Sequence, residues 1–111
     1  MSRLDLKEKL ENVLDKFEVK LYFQPPANIK MTYPCLVYEV NKAEVIYAGN
    51  NPYVEHIEYQ LMLITKKPDE MITSNLLRNI PFIRFDRAYI SNNLYHYVFT
   101  CYEQMIQEVT A

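Results

Sequence analysis

The side chains with the most reactive chemistry in this chain are two thiols and two imidazoles. They belong to Cys35, His56, His96 and Cys101. None forms a C-x-x-C or H-x-x-x-H pair, the short spacing on which zinc sites are usually built. On an extended strand His96 and Cys101 face opposite ways, because they are an odd number of residues apart. We expect no metal and no cofactor. A pairing of Cys35 with a histidine stays geometrically open but has no support as a nucleophile.

The carboxylates give no catalytic pair either. Glu55, His56 and Glu58 form a polar patch, but the odd spacing of the two glutamates puts them on opposite faces of a strand. We expect a solvated or interfacial strand face there. The chain has one glycine, so it cannot form a glycine-rich phosphate loop. The sequence predicts a protein that is not an enzyme.

Arg84, Asp86 and Arg87 form a short charge cluster. It is either a surface ion pair, which contributes little to stability, or a contact between subunits, where complementary charges set the register. The sequence leaves both interpretations open.

The composition indicates one folded domain without a nucleic-acid partner. With 111 residues, 50% of them hydrophobic, the chain can bury a single core. Its net charge of −2 and scattered basic residues argue against phosphate binding. Without a leader-like or membrane-length apolar run, we expect a protein kept in a cytoplasm or in a particle assembled there. Ten tyrosines favour either sheet faces or a protein interface.

The apolar periodicities predict helices and strands in the order α-β-β-β-β-α-β-β. The helices are expected at residues 3–17 and between Asp69 and Pro81. The strands are expected at residues 19–23, 35–40, 44–47, 53–65, 83–89 and 94–102, with Ile83, Phe85 and Tyr89 alternating in the fifth. For residues 103–111 the sequence leaves three alternatives: an extension of the strand, a short helix, or a flexible or partner-bound arm. The expected fold is α+β within one domain of residues 1–111. It has an antiparallel or mixed β-sheet of about five to six strands, with an N-terminal helix and a second helix packed on one face.

Prolines stiffen the segment between the first two predicted strands. Pro25 and Pro26 fix φ and remove two backbone donors, and Pro34 repeats the constraint before Cys35. A polar loop pinned at both ends usually presents a surface. Residues 24–32 are therefore one expected contact, and the turn at residues 50–53 is another. With the charge cluster, the interface candidates are Gln24, Pro25, Pro26, Asn28, Lys30, Met31, Asn50, Asn51, Tyr53, Arg84, Asp86 and Arg87.

Several segments carry a resemblance to a known family. They are Tyr22-Phe23-Gln24-Pro25-Pro26, Tyr33-Pro34-Cys35-Leu36-Val37-Tyr38 and Asn93-Leu94-Tyr95-His96, with Tyr59 on a long strand and Lys67-Pro68-Asp69 opening a helix. Together they resemble the small tail-completion proteins, the neck or tail-terminator proteins, of long-tailed bacteriophages and prophages. The resemblance covers residues 22–102 and consists of packing and loop patterns.

The resemblance implies an α+β subunit that closes into a ring, commonly a hexamer, on the tail tube. There it would stop tube polymerisation and dock the head connector. The implied partners are further copies of the chain, the tail tube protein and the head-completion or connector protein. The implied location is the head–tail junction of the virion, after assembly in the host cytoplasm, with no membrane contact and only DNA passing through the lumen. The alternative is a monomeric adaptor or regulatory domain that binds an unrelated protein.

Overall fold

Residues 3–108 form one mixed sheet with two α-helices. The computed structural model describes the backbone of residues 3–108 and the side chains of residues 6–43, 49–50 and 56–102. The elements are α1 (Arg3–Leu14), a 3-10 turn (Asp15–Phe17), β1 (Lys20–Phe23), β2 (Cys35–Ala48), β3 (Asn51–Thr65), α2 (Glu70–Asn79), β4 (Ile83–Ser91) and β5 (Leu94–Glu108). The five strands are ordered β1-β2-β3-β5-β4, with β1 parallel to β2 and the other pairs antiparallel. The predicted α+β fold is confirmed.

Both helices pack on the same face of the sheet. Leucines on α1 and apolar residues on α2 meet every second residue of the central strands, as the strand period requires. The core consists of Leu6, Leu10, Leu14, Leu36, Tyr38, Tyr59, Leu61, Leu63, Ile72, Leu76, Ile80, Phe99 and Cys101. The opposite face, here called the open face, carries neither of the helices that the structure describes. By register it presents Val37, Glu39, Gln60, Met62, His96, Val98 and Thr100.

The second and third predicted strands are one strand, which corrects the predicted order. The polar Asn41 does not end β2; it is an extra residue in a register shift between Val40 and Lys42. Its side chain donates to Glu58 on β3 at 2.6 Å, so the bulge keeps its polar group bonded. β5 also continues to Glu108, so the strand alternative for the C-terminal segment holds that far. Residues 109–111 of that prediction lie outside the described residues.

A bulge on β4 changes which face its residues occupy. Ile83 and Phe85 pair with Cys101 and Phe99 on the helix face. Asp86 is then skipped in the register, so Tyr89 pairs with His96 on the open face. The predicted alternation of Ile83, Phe85 and Tyr89 is therefore wrong beyond Phe85, because the extra residue reverses the parity of the strand.

The turns and caps have the residues that their backbone requires. Gly49 and Asn50 make the β2–β3 turn at φ 57° and 69°, and Asn92 and Asn93 make the β4–β5 turn at 52° and 63°. Asparagine tolerates this left-handed region better than most side chains. α2 begins after Asp69 as predicted, and Asp69 caps it, its Oδ1 accepting from the Ile72 N–H at 3.1 Å. Within residues 3–108 no helix is long and apolar enough to span a membrane.

Candidate functional site

The thiols and imidazoles lie apart. Cys101 belongs to the core and His96 to the open face, as their spacing predicts. Cys35 shares a row of the sheet with His96, but Ile64 lies between them. Two strand spacings separate the pair by about 10 Å. Burial raises the pKa of the Cys35 thiol to about 11, which disfavours the reactive thiolate. The pairing of Cys35 with His96, which the sequence left undecided, is therefore not formed.

The ring of His96 is held by its neighbours. It stacks on Tyr89 with ring centroids 4.6 Å apart and planes 6° from parallel. Its Nδ1 lies 3.0 Å from the carbonyl oxygen of Leu94, which can only accept, so Nδ1 donates there. Among the described residues, no group of three or more His, Cys, Asp or Glu side chains could hold a metal ion.

Residues 24–32, here called the proline loop, are tied to the sheet at both ends. Gln24 donates its backbone N–H to the Tyr38 carbonyl at 3.0 Å, and its Oε1 accepts from the Val40 N–H at 3.1 Å. At the other end the Thr32 N–H donates to the Tyr22 hydroxyl at 3.2 Å. Tyr22 pairs with Val37, so the end of the loop lies against the open face. These bonds restrict the loop without covering it.

The middle of the proline loop is exposed. Pro26, Ala27 and Asn28 face solvent. The Ile29 N–H donates to the Pro26 carbonyl oxygen at 3.1 Å and closes a turn. Ile29 is itself 39% exposed, an apolar side chain on a restricted backbone. Of the other predicted contact residues, Lys30 is exposed, and Pro25 and Met31 are half-buried. The loop has the stiffness and exposure that a contact surface requires.

The turn at residues 50–53 lies far from the proline loop. Gln24 contacts β2 at Val40, and the turn follows Ala48 at the end of the same strand. Eight residues of extended chain separate these points by about 26 Å. Asn50 is exposed at the tip, while Asn51 and Tyr53 are placed only by their backbone register on β3. The two predicted contacts are therefore separate surfaces.

The charge cluster is brought together within the subunit. Arg84 Nε donates to Asp86 Oδ1 at 2.8 Å, and the Thr100 hydroxyl donates to Asp86 Oδ2. The Thr100 bond first, and then Arg84, lower the pKa of the Asp86 carboxyl. Arg87 instead lies over the Tyr89 ring, 5.8 Å from its centroid. Asp86 therefore has partners on its own chain, which favours the intramolecular interpretation of the cluster.

A groove of about 440 Å³ at the β4–β5 hairpin was missed by the sequence prediction. Its walls are uncharged residues: Pro68, Ala88, Tyr89, Ile90, Tyr95, His96 and Tyr97. The available signal was the tyrosine-rich hairpin next to Pro68. The bulge at Asp86 hid it, because the side of β4 that meets Tyr95 and Tyr97 depends on that extra residue.

No protein-family model matches the chain, and comparison with curated proteins finds no relative.

Proposed function

We propose that this chain is a structural subunit of the head–tail junction of a long-tailed bacteriophage. It forms a ring on the end of the tail tube, stops tube growth and docks the head connector. Its partners are further copies of itself, the tail tube protein and the head-completion or connector protein. The resemblance carried by residues 22–102 supports the class of particle, and the α+β fold agrees with the subunit which that class implies.

The observation that carries the ring is the pair of unlike edges of the sheet. One edge is β1, four residues long, with the proline loop beside it. The other is β4, nine residues long, with Phe85, Tyr89 and Ile90 exposed by 43%, 38% and 63%. A twofold dimer uses one patch twice, whereas a ring joins two different patches head to tail. Two dissimilar edges on opposite sides of one sheet suit the second arrangement.

The exposed side chains of β4 also favour a second candidate. An edge strand with free backbone groups can accept a strand from an unrelated protein, by β-augmentation. The chain would then be a monomeric adaptor that uses β4 as its binding edge. The two candidates differ in what occupies this edge.

Negative-stain electron microscopy separates the two candidates. The purified chain is imaged alone and mixed with tubes of its cognate tail tube protein. Closed rings, or caps confined to one end of the tubes, are the expected result. Monomers that leave the tube ends unchanged would contradict the ring and favour the adaptor.

A further inference from the structure

We infer that β1 of one copy pairs with β4 of the next copy as antiparallel strands, so that the sheets of neighbouring copies join around the ring. The inference rests on the proposed ring and names the contact that closes it. β1 and β4 are the outer strands of the five-stranded sheet. Within one copy, four strand spacings separate them by about 19 Å, so the contact has to join two molecules.

The directions of the two strands fit this contact. β1 runs parallel to β2, and the pairs β2–β3, β3–β5 and β5–β4 are all antiparallel. β4 therefore runs opposite to β1. Rotation about an axis along the strands keeps the direction of every strand, and a closed ring has no rise from copy to copy. Such a rotation places β1 of the neighbouring copy antiparallel to β4 and at the same height.

The backbone of β1 offers hydrogen-bonding groups to its outer side. The N–H groups of Lys20 and Gln24 donate to the carbonyls of Pro34 and Tyr38 on the β2 side, at 3.1 and 3.0 Å. Backbone groups of successive residues point to alternate sides of a strand. The N–H and C=O of Leu21 therefore point away from β2, towards the outer edge of the sheet.

The backbone of β4 offers matching groups in the same row of the sheet. The two-residue turn makes Ser91 and Leu94 a hydrogen-bonded pair, so the alternation along β4 points the N–H and C=O of Ala88 outwards. The row that joins Leu21 to Ala88 runs through Leu36, Leu63 and Tyr97. Copies related by the ring axis therefore set the outward groups of Leu21 directly opposite those of Ala88.

On the helix face, this pairing covers apolar side chains at both edges. Leu21 and Phe23 are half-buried and pack against the core. Phe85, in the row of Phe23, is 43% exposed, although it lies on the same face as the helices. Pairing sets Leu21 against the small Ala88 and Phe23 beside Phe85, and brings no charge into this layer. The core layer then continues from one copy into the next.

On the open face, the same register gives each cation an aromatic neighbour. Lys20 lies opposite Tyr89, and Tyr22 lies opposite Arg87. The ring of Tyr89 already has Arg87 5.8 Å from its centroid, a distance at which a cation is attracted to the ring. A shift of two residues towards the bulge would instead set Lys20 opposite Arg87, and like charges directly opposite each other are destabilising. The charges therefore favour the register that the rows give.

Disulfide trapping tests the contact and its register. Lys20 and Tyr89 are exposed and form a non-hydrogen-bonded pair in the proposed contact. The Cα atoms of such a pair lie about 4.5 Å apart, within the range of about 4.4–6.8 Å that disulfides span. Lys20→Cys and Tyr89→Cys are combined in a Cys35→Ala background, because Cys35 is the β2 partner of Lys20. Under mild oxidation, with tail tubes present, this variant is expected to give a ladder of covalent oligomers on non-reducing gels.

The matched control moves the second thiol two residues along the same face. It combines Lys20→Cys with Arg87→Cys in the same background, and the two Cα atoms then lie about 7–8 Å apart, too far for a disulfide without backbone movement. We expect at least about tenfold less crosslinked product from this control. Equal ladders from both variants, or none from the first, would overturn the strand pairing.

A second pair of variants tests the backbone contact without a crosslink. Ala88→Pro removes the outward N–H of β4, and an edge strand tolerates proline where its N–H faces outwards. Ala88→Ser keeps the N–H at the same position. Ala88→Pro is expected to raise the concentration for half-maximal capping of tubes by about tenfold or more, because a carbonyl of the neighbouring copy loses its donor. Ala88→Ser is expected to leave that concentration unchanged.

The outcomes separate the strand pairing from the proposed function. Circular dichroism checks that Ala88→Pro is folded, and the disulfide pair decides the contact independently of that variant. Capping by folded Ala88→Pro at the wild-type concentration would overturn the strand pairing and leave the proposed function standing. Absence of rings and caps with the unaltered chain would overturn both.

Discussion

Replacing Asp86 by alanine tests whether the charge cluster acts within one subunit. The carboxylate accepts from the Thr100 hydroxyl, on a residue that is only 5% exposed, and from Arg84 at 2.8 Å. A buried hydroxyl that loses its partner costs about 1–3 kcal/mol. The Arg84 pair adds little to this, because the arginine side chain is 60% exposed and solvent screens the pair. Since a hydroxyl can turn towards other acceptors, we expect Asp86→Ala to lower the free energy of unfolding by about 1–2 kcal/mol.

Urea unfolding of the monomeric chain, followed by circular dichroism, measures this loss. Arg84→Ala is the matched control and is expected to lower the free energy of unfolding by less than Asp86→Ala does, because the arginine is exposed. The hydrogen bonds lower the pKa of Asp86 below its ordinary 3.8. Its contribution is therefore present above that value and is lost as the pH falls through the lower, folded-state pKa. The difference in the free energy of unfolding between wild type and Asp86→Ala should therefore become smaller in acid. A variant that unfolds like wild type yet no longer assembles would refute the reasoning and assign the carboxylate to a contact between subunits.

Three further predictions concern the thiol, the cap and the core. Cys35, with its pKa of about 11 against an ordinary 9.0, should react with a disulfide reagent at pH 8 at least about 100-fold more slowly than an exposed thiol, until urea unfolds the chain; fast labelling of the native protein would contradict its burial. Asp69→Ala should lower the free energy of unfolding by about 1 kcal/mol, because the Ile72 N–H loses its acceptor, whereas Asp69→Asn should retain most of it. Leu10→Ala, at a site with 0% exposure, should cost about 2–5 kcal/mol in urea unfolding; a loss under 1 kcal/mol would show that α1 contributes little to the core.

The elements of the fold were predictable because each has a local signal. Apolar residues at helical spacing indicate α1, and Asp69 with Pro81 bounds α2 to within two residues of its observed ends. Strict alternation indicates the second half of β3. These signals depend on neighbours in sequence, so one chain suffices to find them.

The bulges at Asn41 and Asp86 were not predictable, because partners distant in sequence decide them. In the sequence, the polar Asn41 indicates the end of a strand. In the structure its side chain donates to Glu58, 17 residues away, and the strand continues. In the sequence, Asp86 has the pattern of a surface charge. In the structure it accepts a hydrogen bond from Thr100, 14 residues away. The bulge at Asp86 determines which residues line the groove, so the groove was hidden by one extra residue. The proline loop was predictable, because the constraint of Pro25 and Pro26 is local.

Seeded elongation of tail tubes tests the central claim most directly. Short tubes are incubated with the chain, tube protein is then added, and growth from each end is measured by electron microscopy. If the chain forms a ring that caps the tube, we expect one end to stop growing while the other elongates normally. Equal growth from both ends, with the chain present in excess over tube ends, would contradict the proposed function.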